Sequence, residues 1–302
     1  MTTVGEKETP GTAGEHADGE SAETAPEDAF GALSDSVRLK ILQSLIDHRL
    51  EADGEPAGFA DLRRSVGVRD SGRFRYHLNQ LRDTFVERAD GGGYRLTHAG
   101  QEVVAAIRAG RYTDEVSAAS TTLDSECSLC GNAVAVAYES SHCVVTCEQN
   151  HPMFQWPVPP NLAGEADSET VLEVAQLAAL HAVELLLAGV CPECYDPLEP
   201  TLDRRGDDSL RFRAQCGVCG CRVDSSVTLR LLADPAVAAV CRRHGVGPRD
   251  AYLWEPPFVG DDEAVSVADT DPLVVTASLQ IEAETLDVSL DAAGRVTSVE
   301  ER

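Results

Sequence analysis

The sequence predicts an α+β chain in two parts: a helical N-terminal region closed by a short hairpin, and a C-terminal region of cysteine-bearing ribbons, helices and a terminal β-hairpin. Three observations predict this. Apolar residues recur at helical spacing from Asp28 to about Tyr112, broken by the glycine-rich stretch 90–93. Cysteine pairs begin at 127 and 191. After GDDEAVSVADTD (260–271), which reads as an acidic linker, LVVTASLQIEAETLDVSL (273–290) alternates with period two and leads through AAG into a further polar segment, as a terminal hairpin or meander does.

Residues 1–26 are rich in Glu, Gly, Thr and Ala without apolar periodicity, and read as a disordered acidic tail. The N-terminal domain is expected over 27–112. In SDSVRLKILQSLI (34–46), Ser34 or Asp35 can cap a helix on which Val37, Ile41 and Leu45 share a face. FADLRRSVG places Phe59, Leu62 and Val66 together and ends on Gly67, a left-handed cap. Asp70 or Ser71 then caps a third helix, expected over 72–82, whose Phe74, Leu78 and Leu81 form one side. At 100° per residue Tyr76, Asn79 and Gln80 point the other way, with Arg73 and Arg75 on the flanks and His77 at the edge of the apolar face. FVERADGGGYRLT supplies two short strands around a glycine turn, a wing over 84–96, and Thr97 caps a last helix bearing Val103, Val104 and Ile107. Three helices joined in this way, followed by a wing, make a winged helix-turn-helix plan.

The 302-residue chain carries 51 acidic against 25 basic residues, a formal charge of −26, and only Lys7 and Lys40 are lysines. Such a charge would ordinarily repel nucleic acid. The Asp/Glu-rich, lysine-poor pattern resembles halophilic proteins, in which molar salt shortens the Debye length to about 3 Å and screens self-repulsion. Local chemistry then matters more than the total. Between Leu62 and Arg88 seven arginines face only Asp70, Asp83 and Glu87.

GALSDSVRLKILQSL, the helix pair ending in RFRYHLNQL and the wing ending in YRLTHAG together resemble an ArsR-like winged helix-turn-helix transcriptional regulator of halophilic archaea, over about residues 29–112. The resemblance implies a third helix in the major groove of double-stranded DNA, with Arg73, Arg75, Tyr76 and Asn79 at the bases. Arg69, Ser71 and Gln80 then lie beside them, and Arg88 and Arg95 near phosphates. It also implies a homodimer matching two half-sites. Metal-sensing relatives carry a cysteine pair near this helix, whereas residues 1–126 contain none, so arsenite sensing is not expected of this domain.

TDEVSAASTT (113–122) reads as a linker to a C-terminal domain over 123–302, with ribbons at about 123–160 and 190–230. CPEC at 191–194 and CGVC at 216–219 form C-x2-C-x21-C-x2-C; two such turns facing each other make a four-thiolate zinc site from Cys191, Cys194, Cys216 and Cys219. In CSLCGNAVAVAYESSHCVVTCEQNH (127–151), Cys127 and Cys130 form one knuckle and Cys147 with His151 can form the other, although Cys143 or His142 can replace a member. Both sites are expected to be structural Zn2+ sites, closed to water. Cys241, alone on an apolar helix face near 235–244, reads as a small core residue.

VLEVAQLAALHAVELLLAGV (171–190) is interrupted by Glu173, Gln176, His181 and Glu184 and reads as a buried amphipathic helix, so no membrane span is expected. Ten cysteines without an export signal fit a cytoplasmic protein that ligates metal. No phosphate loop, nucleophile elbow or His-Glu-x-x-His pattern is present, and no enzyme activity is expected. The expected function is DNA-binding transcriptional regulation, with the zinc module serving dimerisation, ligand or partner binding. The alternatives are a ribbon protein docking RNA or the transcription machinery, and a thiol or metal sensor using Cys143, Cys221 and Cys241.

Overall fold

The computed structural model describes residues 25–205, 209–247 and 250–302, and has mixed α+β architecture. The expected acidic tail falls almost wholly outside these residues. The chain divides into two compact units, residues 1–105 and 106–302.

The first unit contains α1 (Pro26–Leu33), α2 (Ser36–Glu51), α3 (Phe59–Val66), α4 (Ser71–Leu81), β1 (Val86–Arg88), β2 (Tyr94–Leu96) and the start of α5 (His98–Arg108). Helix starts follow the local capping chemistry. The Asp35 carboxylate accepts from the amides of Val37 and Arg38, Asp70 accepts from Arg73 at 2.5 Å, and Thr97 Oγ1 accepts from Gly100 at 3.1 Å. Gly67, with φ +77°, closes α3, as expected. Ile41, Leu42, Leu45, Leu62, Phe74, Leu78, Leu81, Phe85 and Val104 form one core. β1 and β2 pair antiparallel, with Glu87 opposite Arg95. β2 also exchanges two backbone hydrogen bonds of 2.9 Å between Tyr94 and Ala57, a third strand contact that the sequence did not announce.

Gly100 is required by close approach. A Cβ there would lie 2.1 Å from the Phe85 carbonyl oxygen, which already accepts from the Thr97 amide. Gly100→Ala is therefore expected to destabilise this unit by about 1–3 kcal/mol, the usual cost of overpacking, despite alanine's better helix propensity. Urea denaturation followed by far-UV circular dichroism measures it.

The second unit opens with β3 (Ala118–Glu126), β4 (Ala133–Glu139), β5 (His142–Cys147) and β6 (Pro152–Pro157), an antiparallel meander in that order. The expected linker at 113–122 is thus corrected, because its second half is the start of an edge strand. β3 looks like a linker since, between Ala118 and Asp124, only Leu123 is buried. After α6 (Pro160–Glu165), α7 (Ser168–Leu187) lays Val171, Leu172 and Ala175 on this sheet. Among the described residues α7 is the one helix long and apolar enough to cross a membrane. Its buried Val171, Leu172, Ala175, Ala179, Ala182 and Leu186 belong to the folded interior, and the Gln176 side chain accepts from the Leu253 amide at 2.8 Å.

β7 (Thr201–Arg205), β8 (Ser209–Gln215) and β9 (Arg222–Ser226) form a three-stranded antiparallel sheet, followed by α8 (Val227–Leu231) and α9 (Pro235–Arg243). β10 (Val265–Thr270), β11 (Leu273–Ile281), β12 (Glu284–Leu290) and β13 (Val296–Glu301) complete a four-stranded meander. Of the expected hairpin or meander it is the meander that forms, and the acidic stretch 260–271, expected as a linker, contains its edge strand. Val275, Ala277, Leu279, Ile281, Leu286, Val288 and Leu290 all point to one core with Phe212, Leu231, Val237 and Cys241.

Arg230 is buried in this unit at 1 % exposure, and its Nε and Nη2 have no hydrogen-bond partner. Burial pulls its guanidinium down to about 10, against the attraction of Asp234 and Asp291. A buried cation without good partners costs more than an apolar group of similar volume. Arg230→Met is expected to stabilise the fold by about 1 kcal/mol or more in urea denaturation.

Candidate functional site

Three sets of side chains stand out, two made of thiols and one of exposed polar groups on α4.

The second cysteine cluster is the simpler. Each knuckle is a backbone turn that points two sulfurs the same way. Cys191 N donates to Asp196 O at 3.0 Å and Tyr195 N to Cys191 O at 3.0 Å; Cys216 N donates to Cys221 O at 2.9 Å and Gly220 N to Cys216 O at 3.2 Å. The residue after each pair takes a left-handed backbone, φ +61° at Tyr195 and +76° at Gly220. Together the turns bring Cys191 Sγ to 3.6 Å from Cys219 Sγ and Cys194 Sγ to 3.5 Å from Cys216 Sγ. A tetrahedral ion with metal–sulfur bonds of about 2.3 Å has sulfur–sulfur edges of about 3.8 Å. Two of the six sulfur–sulfur edges are therefore close to those of such a tetrahedron, and all four sulfurs lie within 4.8 Å of one another. Burial pushes the Cys191 thiol up, but the amides of Cys194 and Glu193 and the thiols of Cys219 and Cys194 outweigh it and bring it down to about 6. Its neighbour Cys194 is pushed the other way, to about 12: the Asp196 amide lowers it, but burial and the surrounding thiols prevail. Paired thiols that share protons in this manner are poised to exchange them for a cation.

The first cluster consists of Cys127, Cys130, Cys147 and His151, whose ligand atoms all lie within 4.8 Å of one another. Cys130 Sγ is 3.7 Å from Cys147 Sγ, and Cys127 Sγ is 3.6 Å from His151 Nδ1. Cys127 N donates to Asn132 O at 2.9 Å and Gly131, at φ +69°, closes the knuckle. On the other side the chain turns at Asn150, φ +58°, to return His151 to the cysteines. Burial raises the Cys147 thiol, but the amides of His151 and Gln149 and the nearby Cys130 and Cys127 thiols bring it down to about 7. The open question of the first cluster is thereby answered. Cys143 is fully buried on β5 opposite Tyr138 and Trp156, where burial pushes its thiol up to about 11, and His142 Nδ1 bonds the Ser140 carbonyl at 2.7 Å. Neither belongs to the cluster. Cys241 is likewise buried, with its thiol pushed up to about 11, as a core residue. Cys221 lies just outside the second cluster and is half-buried.

On α4 the side chains divide as the helical spacing requires. Phe74, His77, Leu78 and Leu81 are buried, while Ser71, Arg73, Arg75, Tyr76, Asn79 and Gln80 are exposed, Tyr76 by 59 %. His77 Nδ1 sits 3.6 Å from the Asp35 carboxylate beneath the helix, a packed position rather than an outward one. The Arg75 guanidinium lies 5.5 Å over the Phe59 ring, which restrains it without burying it. Arg69 and Arg88 are exposed. Arg95 is also exposed but pairs with Glu87 across the hairpin at 2.5 Å. Such a surface pair is worth about 0–1 kcal/mol, so it is easily exchanged for another anion.

Two family models match the chain, both described as domains of unknown function: DUF7347 over residues 26–107 and DUF7351 over residues 124–296. The second covers more than half of the sequence, so the chain belongs to the DUF7351 family. No curated protein and no solved structure matches it.

Proposed function

We propose that this member of the DUF7351 family is a DNA-binding transcriptional regulator of the ArsR-like winged helix-turn-helix type, with α4 in the major groove, the β1–β2 hairpin as the wing and two structural zinc sites in the C-terminal unit. The observation that carries the reading is the division of α4: an apolar side bound into the core, and an outer side offering Arg73, Arg75, Tyr76, Asn79 and Gln80 together. Arginine can bond guanine O6 and N7 bidentately, and Asn or Gln can bond adenine N6 and N7, each worth about 1–3 kcal/mol of discrimination. Arg69, Ser71, Arg88 and Arg95 then serve the flanking phosphates. In molar salt counterion release contributes little, so base-edge contacts have to supply most of the affinity of a chain with charge −26. The protein acts in the cytoplasm as a homodimer on paired half-sites.

Zinc is the ion both clusters suit. Thiolate and imidazole donors on tetrahedral edges, with no fourth position left for water, make structural rather than catalytic sites. The residues themselves pre-arrange the thiolates and link separate strands through one point. The C-terminal module serves dimerisation, ligand or partner binding.

A second reading is favoured by the exposed Leu129, Tyr195 and Val218, each within or next to a knuckle and each about 70 % accessible. Apolar knuckle tips fit docking to RNA or to the transcription machinery. Selection from a randomised duplex pool in molar KCl separates the two. The regulator reading expects convergence on one sequence with two-fold symmetry, and a pool that stays random overturns it in favour of the docking reading.

A further inference from the structure

The first metal cluster has a sulfur beside it that its cysteine spacing does not reveal. In the β5–β6 ladder Val145 pairs with Phe154 and Thr146 with Pro152, so Met153 is an extra residue, a β-bulge two positions beyond His151. A bulge turns its residue out of the strand's alternation and re-aims the side chain. Here Met153 Sδ lies 3.6 Å from Cys127 Sγ, the same separation as that between Cys127 Sγ and His151 Nδ1. The thioether therefore stands as close to this cluster sulfur as the imidazole does.

We propose that Met153 is an alternative donor at the first site: when a soft monovalent ion, Cu(I), displaces the zinc, the thioether binds it in place of the His151 imidazole, so that the ion stays four-coordinate. Thiolates and thioethers are soft donors that select Cu(I), whereas a thioether adds little to Zn(II), which Cys127, Cys130, Cys147 and His151 already satisfy. Met153 is half-buried against the first sheet's core, and its sulfur can approach the ion by rotation about its own side-chain bonds. The inference rests on the reading of the first cluster as a metal site.

The chain contains two methionines, Met1 and Met153, so selenomethionine labelling places a single selenium near any bound metal. The full-length protein is loaded with zinc and its metal content measured. It is then exchanged anaerobically with Cu(I), supplied as the acetonitrile complex, until all zinc is displaced. Selenium-edge X-ray absorption is expected to show a selenium–copper shell that Met153→Leu removes. The same substitution is expected to weaken Cu(I) binding at this site about tenfold in competition with a chelator, leaving zinc content at two per chain. Two zincs per chain with no selenium–copper shell, or unchanged Cu(I) affinity in Met153→Leu, overturns the role of Met153 alone. One zinc per chain removes the first site itself, and the present inference with it.

Discussion

Chelation of the bound metal is expected to abolish cooperative unfolding of residues 106–302 while leaving the helices of the first unit in place. The four thiols of the second cluster stand 3.5–3.6 Å apart in pairs, and Cys191 has no exposed surface. Without a cation they must either stay protonated, losing the links between knuckles, or ionise and repel. The loss does not stay at the knuckles. The strands between them deliver Leu202, Leu210, Phe212 and Ala214 to the main core, so a ribbon that opens exposes that core. Structural zinc in small peptides is worth about 10–16 kcal/mol, more than a domain's whole stability. Both tryptophans, Trp156 and Trp254, lie in the second unit and report on it alone. Trp254 is buried and stacked on Tyr252 with ring centroids 4.8 Å apart. In a urea titration the metal-loaded protein should show a sharp fluorescence transition and the chelated protein a gradual drift. Cys216→Ser should behave as the chelated protein does. An unchanged transition after metal removal would mean that the cores hold the ribbons without it.

The second large effect is expected from Phe74→Ala, which should lower the stability of the first unit by about 3–5 kcal/mol. Phe74 has no exposed surface and meets the Phe59 ring edge-on at 5.1 Å between centroids. The truncation therefore leaves a cavity and ends an aromatic pair worth about 0.5–1.5 kcal/mol. Against a typical domain stability of about 5–15 kcal/mol the variant remains largely folded near the temperature of maximum stability and melts early. The helical circular dichroism signal is expected to fall at lower urea with the tryptophan transition unchanged. A shared downward shift of both signals would contradict the division into separately stable units.

Much of this was legible because capping and knuckle formation are local. Asp35 and Asp70, each one of two caps the sequence offers, and Thr97 start their helices, and seven cysteines assigned from spacing come together with His151, one of the members for which the sequence left alternatives open. Twenty-one residues between Cys194 and Cys216 hide nothing, because each knuckle forms on its own and the hairpin between them only has to return. The misreadings share one cause. AASTT (118–122) and VSVADT (265–270) read as parts of linkers, yet each belongs to an edge strand, bonded on one side only and largely wet on both faces. Polarity cannot separate such a strand from a loop. Only its partner can, and that partner is remote in sequence. The pairing of Ala57 with Tyr94 and the bulge at Met153 were invisible for a related reason: a period-two pattern has no mark for one residue that pairs alone or for one that is skipped.

The central claim is that the outer side of α4 reads base edges. It is tested most directly by measuring, in molar KCl, the affinity of Arg73→Ala for the duplex recovered by selection and for single-base variants of it. Arg73 is exposed and its side chain contributes nothing to the core, so the fold should be unaltered in circular dichroism. The account predicts about a tenfold loss on the selected duplex, together with lost discrimination at one base pair. Affinity and base preference both equal to those of the parent protein would contradict it.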